Sequence, residues 1–365
     1  MNTSSKNSLA VWIDGTQEYY TYSLDVNLKI TGPTTERFIE IGLTVHEVEG
    51  AKKINLFCPF QIDSSCIENL GETLTKKPDT LGAMFNSTVS VSSDPTNASS
   101  EVTLNGTKKL HICTLGSDIF DVTPCENDSS LISINFDNCI SKKTNNGSYY
   151  FRFRLNKLQG LHEEESGTPY WFAGKKEEYS YLDFRVNMPR SLPNSIAVKA
   201  FKDKLLRIHV FLLVDTSQKI VFGTKSPKDT RLLEKDDWKG YFPKKNKAFS
   251  FLHTEEDKAK IVAYHWKKEY SYENDANNDY DLFVKLITEK SNKKIILTAA
   301  IFTLIFGSAS GVLGNYAFKA LEDTTYPDAL SKPNQVKKAE NPAYDKKTQI
   351  KLSTQPNSKK TVVGP

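Results

Sequence analysis

From Ala10 to about Ile287 apolar and polar residues alternate in short segments divided by turn residues. A period of two is the mark of a strand with one face turned inward, and helical periodicity is scarce. In Phe38–Val45 the apolar positions largely keep to every second residue, and Ile54, Leu56, Cys58 and Phe60 repeat the spacing. Tyr149–Leu155 sets Phe151, Phe153 and Leu155 against Arg152 and Arg154, and Leu182–Met188 sets Leu182, Phe184, Val186 and Met188 against Asp183 and Arg185. Each of these segments reads as a half-buried strand with one wet and one dry face. Further strands are expected at Leu205–Val214, at its hairpin partner Lys219–Phe222, and at Phe249–Leu252, Ile261–Trp266 and Leu282–Ile287. The sharpest local signal is Asn105-Gly106 between two extended stretches of Glu101–Ile112. Positive φ at both centres of a type I′ turn suits that pair, which predicts a hairpin.

The alternation lapses twice. Asn156–Tyr179 mixes charges, glycines and the aromatic run Tyr170-Trp171-Phe172, and reads as a long loop or domain boundary. From Ile295 to Phe318 the chain is IILTAAIFTLIFGSASGVLGNYAF, without a charged residue. At about 1.5 Å per residue this run covers roughly 36 Å, enough for a bilayer core of about 30 Å. Gly307, Gly311 and Gly314 would each cost about 1 kcal/mol in a water-soluble helix, whereas membrane helices accept them. The fold class expected is therefore mainly β. An antiparallel sandwich-like region, as one large or two smaller domains, precedes a single transmembrane helix and a disordered polar tail. The expected divisions are a first β-rich domain over 1–156, a linker over 157–180, a second β-rich domain over 181–290, the helix over 295–318 and the tail over 319–365.

Ala300, Thr303, Gly307, Ser310, Gly314 and Ala317 recur at alternating spacings of three and four, and Gly311 completes a Gly-x-x-x-Gly pair beside them. Helices in lipid associate where small residues let backbones approach, so this stripe suggests a homo-oligomer. Lys285, Lys290, Lys293 and Lys294 precede the apolar run, and Lys319 is followed by Glu322, Asp323 and Asp328. That asymmetry places the N-terminal body on the cytosolic side. Met1–Leu9 is polar and contains no signal-like apolar run, in keeping with that side.

Composition narrows the picture only slightly. With 38% hydrophobic and 25% charged residues the 365-residue chain is globular, and a net charge of +4 gives no strong nucleic-acid signal. Five cysteines without a C-x-x-C spacing read as free thiols in a reducing compartment.

No motif carries a chemistry. The six histidines lack paired metal spacing, and phosphate loops, dinucleotide fingerprints and nucleophile elbows are missing, so neither enzyme nor cofactor is expected. Val210–Ser217 opens like the Asp-x-Ser-x-Ser metal loop of von Willebrand A domains, but Lys219 stands where the last Ser belongs, so a polar turn is expected at Asp215–Gln218. Asn341-Pro-Ala-Tyr344 matches a short adaptor motif and is read as coincidence. The best contact candidates interleave aromatic and cationic groups: Trp238, Lys239, Tyr241, Phe242, Lys244 and Lys245, with Tyr170, Trp171 and Phe172 second. Their bland reading is a turn before a strand, or a core anchor. The function expected is a membrane-tethered protein that binds an unidentified cytosolic protein or small ligand and self-associates through its helix, for instance a bacterial defence or stress sensor-effector acting on the membrane. The alternatives are an adaptor subunit of a membrane complex and a membrane-anchored enzyme.

Overall fold

The computed structural model describes residues 8–92, 98–114, 116, 119–136, 147–158, 162–170, 175–242, 261–271, 278–291 and 293–325. The chain falls into two units, Met1–Ala300 and Ile301–Pro365.

The first unit holds two sheets, with strands numbered in chain order. The eight-stranded sheet runs β15 (Gln218–Gly223), β18 (Tyr280–Ser291), β13 (Lys175–Val186), β1 (Ser8–Gly15), β4 (Ala51–Cys58), β10 (Ser129–Asn135) and β9 (Phe120–Cys125), with β12 (His162–Tyr170) also paired to β13. The ten-stranded sheet runs β16 (Asp229–Leu232), β17 (Ile261–Glu269), β14 (Lys204–Asp215), β2 (Thr21–Lys29), β3 (Phe38–Val45), β11 (Ser148–Asn156), β8 (Lys108–Cys113), β7 (Ser99–Leu104) and β6 (Val89–Ser92), with β5 (Ile67–Asn69) also on β11.

Each sheet holds strands from both sides of Asn156–Tyr179, in two contiguous blocks. β1 pairs in parallel with β13, and β2 in parallel with β14, so the two β-rich stretches build a shared pair of sheets. The stretch expected to be a linker carries β12 and the start of β13. Glu163, Glu164 and Glu165 are exposed on β12, which accounts for its loop-like composition: charge on such a strand blunts pairing with other chains.

The main core lies between the sheets. Leu24, Val26 and Leu28 of β2 meet Ile208, Val210 and Leu212 of β14, Ile41 and Leu43 of β3, and Val11 and Ile13 of β1. The intervening residues of these strands point to the outer faces, and those faces are also covered. The helix Asn194–Ala200 packs on Trp12 and Phe57 of the eight-stranded sheet. The helices Gly71–Thr75 and Pro78–Phe85, with the segment Leu233–Phe242, cover the ten-stranded sheet through Leu74, Leu81, Trp238, Tyr241 and Phe242. All eight residues of β3 are therefore buried, not half of them. Arg152 and Arg154, expected on a wet face, are 1% and 0% exposed.

At Asn105-Gly106 the φ angles are 49° and 74°, and the Thr107 N–H donates to Leu104 O, closing the expected turn between β7 and β8. The pairing expected between Leu205–Val214 and Lys219–Phe222 is not formed. β14 and β15 belong to different sheets, and the polar turn between them, in which Asp215 Oδ1 accepts the Ser217 N–H, carries the chain across the sandwich edge. Phe249–Leu252 lies outside the described residues.

The C-terminal helix Lys293–Thr325 includes a stretch, Ile296–Glu322, whose most apolar window has mean hydropathy 2.0 and is nowhere buried. By length and composition it can cross a membrane. It runs beyond the expected Phe318 because Lys319, Ala320, Leu321 and Glu322 favour helix. Thus 319–325 is helical rather than tail.

Candidate ligand cavity

The outer face of the ten-stranded sheet is built from odd positions of β14 and β2 and even positions of β3 and β11. On β3 and β11 it holds a buried ionic cluster. Glu40 accepts from Arg152 Nη2 at 2.8 Å, from Arg154 Nε and Nη2 at 2.9 and 2.7 Å, and from Tyr241 Oη and Asn27 Nδ2 at 3.0 Å each. Arg154 also reaches Glu68 at 3.0 Å, and its guanidinium lies 5.0 Å from the Phe38 ring centroid. Burial acts to raise the Glu40 carboxyl, but Arg154 and Arg152 overcome it and hold the group below the ordinary carboxylate value. Gly42 stands opposite Arg152 in the ladder; a Cβ there would meet the Tyr150 hydroxyl and the guanidinium, so the cluster requires a residue without a side chain.

Beside this cluster the same face opens into a cavity of about 110 Å³. Asp25 and Asn27 of β2, Arg207, His209, Phe211 and Leu213 of β14, Ala263 of β17 and Arg231 of β16 line it, closed over by Met84, Phe85, Trp238 and Phe242. The cap is tied down where Thr80 Oγ1 donates to the Asp237 carbonyl at 2.6 Å and Lys77 Nζ to the Lys239 carbonyl at 3.0 Å.

Two buried polar atoms of the lining have no hydrogen-bond partner among the described residues: Arg207 Nε and His209 Nε2. The Asp25 carboxylate likewise makes no described side-chain hydrogen bond. Burial pushes its pKa above the ordinary value, against the pull of Arg152 and Arg207. A buried polar group without a partner costs about 1–3 kcal/mol.

The histidine is held by a chain of rings. His265 Nδ1 lies 3.3 Å from Asp229 Oδ2, and His265 Nε2 lies 3.1 Å from His209 Nδ1. A carboxylate only accepts, so the proton sits on His265 Nδ1; His265 Nε2 then accepts, His209 Nδ1 donates, and His209 Nε2 is left as a buried acceptor without a described partner. Both rings must be neutral for this. Burial first, then Arg207 and His265, pushes His209 down to about 3, and burial also lowers His265. Phe211 stacks on His265 with centroids 4.3 Å apart, fixing the ring plane.

The contact candidates divide on these grounds. Trp238, Tyr241 and Phe242 are buried as cap, with Tyr241 Oη committed to Glu40, while Lys239 is exposed. Tyr170 ends β12; Trp171, Phe172, Lys244 and Lys245 lie outside the described residues. Ala300, Thr303, Gly307, Ser310, Gly311, Gly314 and Ala317 all lie exposed on the C-terminal helix, and a Cβ at any of its three glycines would meet nothing within 4 Å. The Ser310 hydroxyl donates to the Phe306 carbonyl at 2.7 Å, which satisfies it without water. Cys58, Cys66 and Cys125 form no disulfide among the described residues.

Asp25, Arg207, His209, Asp229, Arg231 and His265 were not singled out from the sequence. One signal existed: Arg207, His209 and Phe211 alternate with Ile208, Val210 and Leu212, so two ionisable residues and a ring share one face of a strand whose other face is wholly apolar. Scans of the chain against models of known protein families and against curated proteins return no match.

Proposed function

We propose that this protein is a membrane-tethered receptor for a small ligand. The ligand occupies the cavity under Trp238 and Phe242, the helix Lys293–Thr325 holds the sandwich to a bilayer, and copies associate along Ala300–Ala317. The observation that carries the reading is the cavity itself, which places the ionisable Asp25, Arg207 and His209 beside the rings of Phe211, Trp238 and Phe242. Its volume of about 110 Å³ is of the order that accepts a single ring, since a cavity of about 150 Å³ accommodates benzene. The cytosolic side for the sandwich is supported by the lysines that precede the helix.

The test is a ligand-observed NMR screen of small ring compounds against the full chain in detergent micelles, beside Ala263→Phe. Ala263 lines the cavity and is 2% exposed, so the added ring fills the space. The reading expects compounds that bind the natural chain and lose at least tenfold in affinity to the variant. A screen without binders, or with binders indifferent to the substitution, removes it and leaves the adaptor reading, in which Gly307→Ile with Gly311→Ile changes partner recovery but not oligomeric state.

A further inference from the structure

Resting on the tether reading above and not on the cavity, we infer that the end of the eight-stranded sheet from which the helix departs binds anionic lipid headgroups, through lysines of β13 and β18 as well as of the helix start. β18 ends at Ser291 and the helix begins at Lys293. The ladder sets Lys175 of β13 opposite Ser291 and Lys176 opposite Lys290, while β12 brings Tyr170 opposite Lys175 and Pro169 opposite Lys176. Lys175, Lys176, Lys290, Lys293 and Lys294 thus gather at one end of the sheet, although the first two stand far before the others in the chain. All of them fall within the first unit, Met1–Ala300.

No acidic residue shares these rungs. The first acids come one rung farther from the helix, where Glu177 stands opposite Glu289. Charge is therefore sorted along the strands instead of being paired across them, and like charges placed directly opposite each other are destabilising on their own. Edge protection does not account for Lys175 and Lys176, because β13 is flanked there by β12 on one side and by β18 on the other. Distance supplies the partner. The connection to Lys293 and the first turn of the helix separate Ser291 from Ile296, where the apolar stretch starts, by at most about 12 Å. A headgroup layer is about 5–8 Å thick on each side of the hydrocarbon core. Ser291 and the rung it shares with Lys175 therefore lie inside that layer or within a Debye length, about 8 Å, of its surface. A lysine cluster of this size beside a span is the composition that holds anionic lipid, and Tyr170 adds a residue type enriched at the same depth. A nucleic acid or an acidic protein would have to enter the headgroup layer to reach it.

The experiment is native mass spectrometry of the full chain in detergent micelles, titrated with dioctanoyl phosphatidylglycerol or dioctanoyl phosphatidylcholine, beside Lys175→Gln with Lys176→Gln. The natural chain should retain phosphatidylglycerol at a concentration at least about tenfold lower than phosphatidylcholine, and the preference should shrink as salt is raised. A lysine near an anionic surface contributes roughly a factor of five, so the double substitution on β13 should cut the preference at least about fivefold. The comparison of the two lipids uses only the natural chain, so it stands if the variant fails to fold. Equal retention of the two lipids overturns the inference and leaves the tether. A preference untouched by the β13 substitutions overturns it as well, because the lysines around the helix start then act alone. Recovery of the natural chain from cells as a soluble monomer overturns the lipid assignment and the tether together.

Discussion

The two units of this chain treat polar and apolar groups in opposite ways. In the sandwich Glu40, Arg152 and Arg154 are at most 1% exposed, whereas on the C-terminal helix Leu304, Phe306 and Leu313 are 70%, 64% and 68% exposed. Ions removed from water cost several kcal/mol each and persist only where geometry and hydrogen bonds compensate them, as the five contacts to Glu40 do. Large apolar side chains left in water forgo about 1.5–3 kcal/mol apiece. The first arrangement is complete within the chain; the second leaves its apolar surface uncovered. A polar surface can thus be interior, and an apolar one an interface, and the alternation pattern alone does not distinguish them.

The largest effect that would break the sandwich side of this comparison is expected from Glu40→Gln. It leaves Arg152 and Arg154 buried with their central anion gone, and should cost about 3–5 kcal/mol, read from the denaturation midpoint of the full chain in detergent. Replacing Glu40, Arg152 and Arg154 together by apolar residues of similar volume should recover much of that loss. Asp203→Ala comes next. Its carboxylate accepts the backbone N–H groups of Tyr20 and Ile13 within the covered sandwich, and two orphaned donors should cost about 2–4 kcal/mol in the same assay.

Acid should act more gently. His209 and His46 are lowered by burial to about 3 and about 4, while unfolded histidine titrates near 6.5. Between those values the unfolded chain binds more protons, so these groups' contribution to stability falls as pH falls from about 6.5 towards 4. Asp203, raised by burial to about 6, acts in the opposite sense over part of that range, its contribution being lost as pH rises through 6. Denaturation midpoints of the natural chain and His209→Phe from pH 7 to pH 4.5 isolate the histidine share: the variant should lose less on acidification, and an equal loss would remove the neutral-imidazole assignment. The smallest effect sharpens the helix side. Gly307→Ile with Gly311→Ile should leave the melting of the sandwich unchanged, because a Cβ at either position would meet nothing within 4 Å beyond the adjoining turns of its own helix, while weakening self-association in detergent cross-linking.

Much of the fold was legible because a period of two and a period-free apolar run are strong local signals. β3 spans the expected Phe38–Val45, and the turn at Asn105-Gly106 forms through the positive φ angles that this pair tolerates. What was not legible depends on contacts distant in sequence. Arg152 and Arg154 alternate with apolar residues as a solvated face would; what buries them is Tyr241 and Phe242, almost ninety residues onward. The polar turn at Asp215–Gln218 was legible, but whether it joins neighbours in one sheet or crosses between sheets is set by β18, which takes β15 as partner. The cavity eluded the sequence for the same reason. His209 and His265 stand 56 positions apart, and only the ladder of β14 and β17 makes them one chain of rings.

The most direct measurement of the central claim, that the exposed apolar helix lies in lipid and tethers the sandwich, is alkaline extraction of membranes from cells producing the full chain, beside Leu304→Lys with Phe306→Lys. Each lysine at the middle of a span costs about 2.5–3.5 kcal/mol. The account predicts that the natural chain stays with the extracted membrane and that the doubly charged variant is released. Recovery of the natural chain as a soluble monomer would contradict it.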